Sequence, residues 1–244
     1  MRPTAEILKP HVHRPCPVPE GRWVVYQEWN RTIFLHWKVP VNELREVLPP
    51  HLEPDTFEGE AWVSLVAFTV EKLHPRHLFP FPPVSDFHEV NVRTYVTKGT
   101  IPGIYFLSIE ASRWLSAKLT RALSWLPYEK TKMHRSAQGA QQVYTSLNSK
   151  AGFRFASQYV IGKPVGRKSL LDRWLTERYA VYLERANHVY RFQVHHQEWP
   201  LYEAELKELH TEYRFGNIRL NRPPALVHYS PGVEVLTWWR ESIE

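Results

Sequence analysis

Residues Glu89-Val90-Asn91-Val92-Arg93-Thr94-Tyr95-Val96 alternate side by side without a break. Period two is the signature of a strand, in which successive side chains point to opposite faces, and a helix cannot separate the two sets. Glu89, Asn91, Arg93 and Tyr95 therefore share one face and Val90, Val92 and Val96 the other. Such a polar row is either a solvated sheet edge carrying ordinary ion pairs or the lining of a polar cavity. Ala61 to Leu73 sharpens the constraint: Trp62, Ser64, Val66, Phe68 and Val70 fall on one face, and Val63, Leu65, Ala67 and Thr69 on the other. A strand apolar on both faces has to lie deep in the fold.

The remaining sequence points the same way. Twenty prolines against ten glycines and an aromatic fraction of 14% favour strands and extended connections. Trp23 to Trp29 and Thr32 to Val39 read as strands, as do Ile104 to Ile109, Glu129 to Ser136, Gln141 to Leu147 and Phe153 to Ile161. Val189 to Val194, Glu203 to Tyr213 and Leu226 to Trp239 follow. Helices are expected after Asn42, as an N-cap, until Pro49-Pro50, and over Ala111 to Trp125, with Leu115, Leu119, Ala122, Leu123 and Leu126 as the buried stripe. Another begins at the Ser169-x-x-Asp172 capping box and runs through Tyr182. Pro75 to Pro83 is expected to be irregular. Residues 1–21, with Pro3, Pro10, Pro15, Pro17 and Pro19, form an extended arm laid on the body. With 244 residues and no repeat or linker, 22–240 reads as one domain.

Composition also excludes functions. The net charge of +6 comes from basic residues scattered among acidic ones, so a nucleic-acid partner is not expected. A single cysteine, Cys16, allows no internal disulfide and no cysteine zinc site, which fits a reducing, cytoplasmic setting. No apolar run reaches membrane-spanning length, so no membrane is expected either. His195 and His196 are adjacent on a strand and point apart; with no H-E-x-x-H, neither a metal nor a cofactor is expected. Gly162 to Ser169 is not a phosphate loop, because its glycines are misspaced and Pro164 removes a backbone donor.

Chemistry then falls to ionisable residues on apolar strands. Lys130 and Lys132, two apart on an expected strand, share a face; one could depress the pKa of the other and make a nucleophilic amine, or both could be surface lysines. Glu110 is either a charge at a helix entry or an acid, Arg178 either a solvated or a binding group, and His196 either a core histidine or a ligand contact.

Phe34-Leu35-His36-Trp37, Trp62-Val63-Ser64, residues 89–96, Pro102 to Ser108, Leu126-Pro127-Tyr128, Leu175 to Tyr179 and Trp199-Pro200-Leu201, in this order, resemble the YqjF-like family of bacterial proteins. That family is similar in turn to the acetoacetate decarboxylase superfamily. The resemblance implies a mainly β (α+β) fold, an antiparallel β-barrel with wrapped outer strands and two or three helices, enclosing a pocket. In the decarboxylase a pocket lysine forms a Schiff base beside a second lysine, glutamates and an arginine. The counterparts implied here are Lys130 and Lys132, separated by Thr131, with Glu89 as the proton-handling acid. Arg93 and Arg178 are the candidate arginines, with Asn91, Tyr95, Glu110 and His196 completing a substrate-binding set. The expected function is binding of a small-molecule ligand, with lyase-like chemistry on a keto acid or other carbonyl compound. The alternative is a non-enzymatic ligand-binding or protein-interaction module; a homo-oligomer is compatible with either.

Overall fold

The computed structural model describes residues 4–9 and 13–243. Its elements begin with α1 (Thr4–Ile7), β1 (Val25–Val39), α2 (Val41–Val47), β2 (Glu53–Pro54), β3 (Ala61–Pro75), α3 (Pro82–Ser85), β4 (Phe87–Lys98) and β5 (Ile101–Ala111). Next come α4 (Trp114–Ser124), β6 (Tyr128–Lys130), β7 (Lys132–Gln138), β8 (Gln141–Asn148), β9 (Phe153–Pro164) and α5 (Leu170–Thr176). The chain finishes with β10 (Ala180–Arg185), β11 (His188–His196), β12 (Tyr202–Glu212), β13 (Arg214–Phe215), β14 (Ile218–Arg219), β15 (Leu226–Thr237) and β16 (Glu241–Ile243).

Hydrogen bonds link β11, β10, β5, β4, β3, β1 and β15 in that order, and β15 pairs back to β11, so these strands form a ring. From β15 the sheet continues through β12, β9, β8 and β7. Tyr144, Phe155 and Tyr159 of this extension share a hydrophobic core with Leu65, Ala67, Val90 and Val92 on the outer side of the ring. Alternation assigns the sides: the valines of β4 face that core, and Glu89, Asn91 and Arg93 face the interior. All members of the polar row are buried, so the solvated-edge alternative fails.

The two expected strands around Arg31 are one. Arg31 takes a positive φ of 54° in a bulge, and the register shifts between Asn30 and Ile33. The extra residue changes which parity faces inward: Trp29 lines the interior before the bulge and Phe34 after it. Ring closure also needs Gly103, where a Cβ would lie 2.6 Å from the Ala180 carbonyl oxygen and 2.6 Å from the Tyr182 ring. The parallel pairing of β5 with β10 passes through this close approach.

Several expected elements are corrected. The strand expected over 129–136 is broken at Thr131, whose N–H donates to Ala111 O at 2.9 Å; β6 pairs with β5, and β7 leaves to pair with β8. The helix at Asn42 has Pro40 as its N-cap, without a side-chain cap bond. Helix α5 keeps the expected capping box but ends at Thr176, and Tyr182 lies in β10. Pro82 and Pro83 open a short helix, where proline's missing N–H costs nothing, instead of an irregular loop. Five helices are present among the described residues, more than the two or three expected, and the arm includes α1. Ile7 of that arm is buried, and Arg14 donates to Val194 O at 2.7 Å.

Candidate functional site

A cavity of about 440 Å³ occupies the ring interior, with lining residues from all seven ring strands and from α4. Its wall is mainly apolar, with Trp, Phe and Tyr rings among valines and leucines. Trp29 stacks with Trp199 at a 6.1 Å centroid separation, and Phe34 meets Trp199 edge-on at 5.1 Å. The Leu126-Pro127-Tyr128 segment brings Tyr128 to the same wall, and β4 supplies the polar row.

Glu89 is fully enclosed, accepting from Asn91 Nδ2 at 2.9 Å and from the Tyr128 hydroxyl at 3.0 Å. Desolvation pushes its carboxyl up to about 7 in spite of those two bonds. Arg93 lies four residues along on the same face of β4. Its Nη2 donates to Leu175 O at 3.4 Å, its Nε has no partner, and among the described residues no carboxylate is within ion-pair distance of it. Burial lowers its pKa, a guanidinium nonetheless remaining cationic. The Asn91 Oδ1 is also without a partner.

Arg178 is different. Its Nη1 pairs with Asp55 Oδ2 at 2.5 Å, its Nε donates to Trp174 O at 2.6 Å, and its guanidinium lies over Trp174 and Tyr95. It is a neutralised, stacked cation at the cavity wall. His196 Nδ1 is 2.7 Å from the Gln197 carbonyl oxygen, which can only accept, so the proton sits on Nδ1 and Nε2 is an acceptor. Burial pushes this imidazole down to about 3.

Glu89, Asn91, Arg93, Arg178 and His196 thus line one cavity. The other expected site residues lie elsewhere. Tyr95 is buried beneath the cavity, donating to Leu175 O at 3.0 Å. Glu110 points between the ring and the outer sheet, accepting from Tyr213 at 2.8 Å and Ser146 at 3.1 Å, and burial raises its pKa. Lys130 and Lys132 are exposed and line no part of the cavity, because the break at Thr131 carries the chain out of the ring between them. No group of three or more potential metal ligands occurs among the described residues.

Sequence reasoning passed over a buried hydrogen-bonded chain next to Arg93. Asp172 Oδ1 is 3.1 Å from His228 Nε2, and His228 Nδ1 is 3.4 Å from His36 Nε2. His36 Nδ1 is 2.6 Å from Ser64 Oγ, which is 2.6 Å from the Tyr95 hydroxyl, and Tyr95 donates to Leu175 O. A carboxylate accepts at one end and a carbonyl at the other, so the neutral side chains between them have one proton too few for every link. The longest contact, His228 to His36, is the one left lone pair to lone pair. Burial holds the His36 pKa well below its ordinary value. The available signal was parity: His36 shares the inward face of Phe34, and Ser64 that of Val66. Tyr128, also missed as a site residue, was signalled only by its place in the Leu126-Pro127-Tyr128 motif and by lying two residues before Lys130.

Among proteins of known sequence, the family described as an uncharacterized conserved protein, DUF2071, matches residues 26–234. A Bacillus subtilis relative, uncharacterized protein YqjF, is 36% identical over 225 residues, 91% of this chain and 93% of the relative. Solved structures of similar fold include an acetoacetate decarboxylase from Legionella pneumophila, at TM-score 0.64 and 13% identity, covering 94% of this chain and 92% of that one. Another is the enduracididine biosynthesis enzyme MppR complexed with pyruvate, at TM-score 0.64 and 8% identity, covering 92% of each chain. The match over most of its length, together with a ring of strands of the acetoacetate decarboxylase-like fold, makes this chain a member of the DUF2071 family.

Proposed function

We propose that the ring cavity binds a small carboxylate-bearing carbonyl compound of the 2-oxo acid kind, with Arg93 as the anion anchor and Glu89 as the group that exchanges protons with it. The observation that carries this reading is a buried guanidinium without a carboxylate partner, four residues along the same strand face from a carboxyl whose pKa of about 7 equips it to give or take a proton at neutral pH. A bound carboxylate would supply the charge that Arg93 lacks. Asn91 and Tyr128 orient the Glu89 carboxyl, and the aromatic wall takes the apolar part of the ligand. A pyruvate complex of a protein with the same fold supports the ligand class.

The chemistry suited to these groups is proton transfer at the carbon next to a carbonyl, not attack by an amine: among the described residues no lysine lines the cavity. Ligand binding without turnover is the second reading, favoured by that same lack of a nucleophile. Calorimetric titration of 2-oxo acids and deuterium exchange at their C3 position test both. Binding should be lost in Arg93→Met. Exchange should be lost in Glu89→Gln while binding persists; binding without exchange in the unmodified protein leaves the second reading. Borohydride trapping should give no adduct. An adduct that Lys130→Ala abolishes would restore the Schiff-base chemistry and overturn this assignment.

A further inference from the structure

Helix α4 is turned opposite to its composition. Its leucine stripe faces outward: Trp114 is 60% exposed, Leu119 43% and Leu123 60%, whereas the buried residues are Ser116 and Ala117. The inward face is fixed by polar bonds, Ser116 Oγ donating to Val84 O at 2.7 Å and Arg113 Nη1 to Pro82 O at 2.9 Å. These contacts set α4 beside the loop that exposes Leu78, Phe79 and Phe81, and Arg240 ties the exposed Trp239 to it by donating to Leu123 O at 2.8 Å. Leu78, Phe79, Phe81, Leu119, Leu123 and Trp239 all line the cavity, so the patch is continuous with its wall.

The two main segments of this patch carry one sign of charge, and the acids that flank it in sequence are bonded, Asp86 Oδ1 accepting from Lys72 N at 2.9 Å and Glu241 pairing with Arg191 at 2.7 Å. Segments 72–85 and 111–128, which build it, contain no Asp or Glu. Arg76, Arg113, Lys118, Arg121 and Arg240 take part in no ion pair among the described residues. Exposed Trp, Phe and Leu ringed by unpaired cations are the composition of a surface that lies in the headgroup region of an anionic bilayer. A second copy presenting the same face would bring the same cations into an apolar contact with no carboxylate from these segments to meet them.

We propose that this face docks on an anionic lipid surface, with α4 in the plane of the interface and the ring cavity opening toward it. This is surface association, consistent with no helix among the described residues being long and apolar enough to cross a membrane. It does not rest on the carboxylate reading above, and either can fail without the other.

Co-sedimentation of the full chain with phosphatidylcholine vesicles, with and without phosphatidylglycerol, is the test. Binding should require phosphatidylglycerol and weaken as salt is raised. Leu119→Glu with Leu123→Glu should abolish it, and Lys118→Gln with Arg121→Gln should weaken it about thirtyfold. Thermal unfolding should show both exposed pairs folded; the salt titration, made on the unaltered protein, stands whether or not they are. Failure to bind phosphatidylglycerol vesicles overturns the proposal. So does a light-scattering dimer that the leucine pair converts to monomer, which would assign the face to a second copy.

Discussion

At the scale of single residues, the interior of the ring is governed by how burial changes ionisable groups. Glu89 and Arg93 have the same strand and nearly the same burial, yet only the carboxyl can escape its charge by keeping a proton. Its pKa is about 7 in the fold against an ordinary 4.5. A raised carboxyl pKa means that the native state holds more protons than the unfolded chain between those values, so this residue costs nothing below pH 4.5 and costs stability as pH climbs through 7. Glu89→Gln keeps the shape without the ionisation. Its stability relative to the unaltered protein should therefore improve between pH 4.5 and 8, by about 3 kcal/mol at most, as read from urea unfolding at several pH values. A difference independent of pH would refute the assignment. Lys130 and Lys132 teach the converse: their spacing was legible, but spacing implies a shared face only within one strand, and the strand ends between them at Thr131.

At the scale of elements, most signals of local cause were legible, the N-cap expected at Asn42 being an exception because Pro40 opens that helix. The Ser169 and Asp172 capping box is formed, with Asp172 N–H donating to Ser169 Oγ at 3.0 Å and Ser169 N–H to Asp172 Oδ2 at 2.8 Å. Ser169→Ala should lower stability by about 1 kcal/mol, measurable as a shift in the denaturation midpoint. The polar row of β4 was legible for the same reason, since alternation is a property of the strand itself. The orientation of α4 was not: its leucines are correctly spaced for burial, but Arg113 and Ser116 bond to the Pro82 and Val84 carbonyls and fix the opposite face inward. Gly103 belongs to this scale as well. A methyl group there would meet the Ala180 carbonyl at the parallel β5 to β10 contact, so Gly103→Ala should destabilise by about 1–3 kcal/mol, read from thermal unfolding. An unchanged melting curve would mean that ring closure tolerates a shift of β10.

At the scale of the whole molecule, the buried groups act together. Burial depresses the pKa values of His36, His228, His88 (to about 4) and His196 (to about 3), and it raises those of Glu89, Glu110 and Glu177. A depressed histidine costs stability as pH falls below its ordinary 6.5, because the unfolded chain takes up a proton that the native state refuses. A raised carboxyl has the opposite slope above 4.5. Between pH 4.5 and 6.5 the two sets oppose each other. Below 4.5 the histidines act against the fold without that opposition. Denaturant midpoints should therefore change little from pH 6.5 to 4.5 and drop steeply below; a steady fall beginning at pH 6.5 would show that the histidines dominate throughout.

The sequence by itself determined most of the strands, though not β10 or the break at Thr131, and it determined that β3 lies deep and that Glu89, Asn91 and Arg93 share a face, because periodicity and burial preference are written residue by residue. Only the tertiary structure decided that this face looks into a ring, that α4 turns its leucines outward, and that the two lysines stay in water. Each of those depends on which distant backbone groups a segment meets, such as the Ala111 carbonyl that holds Thr131 or the Val84 carbonyl that holds Ser116, and no local pattern encodes that pairing.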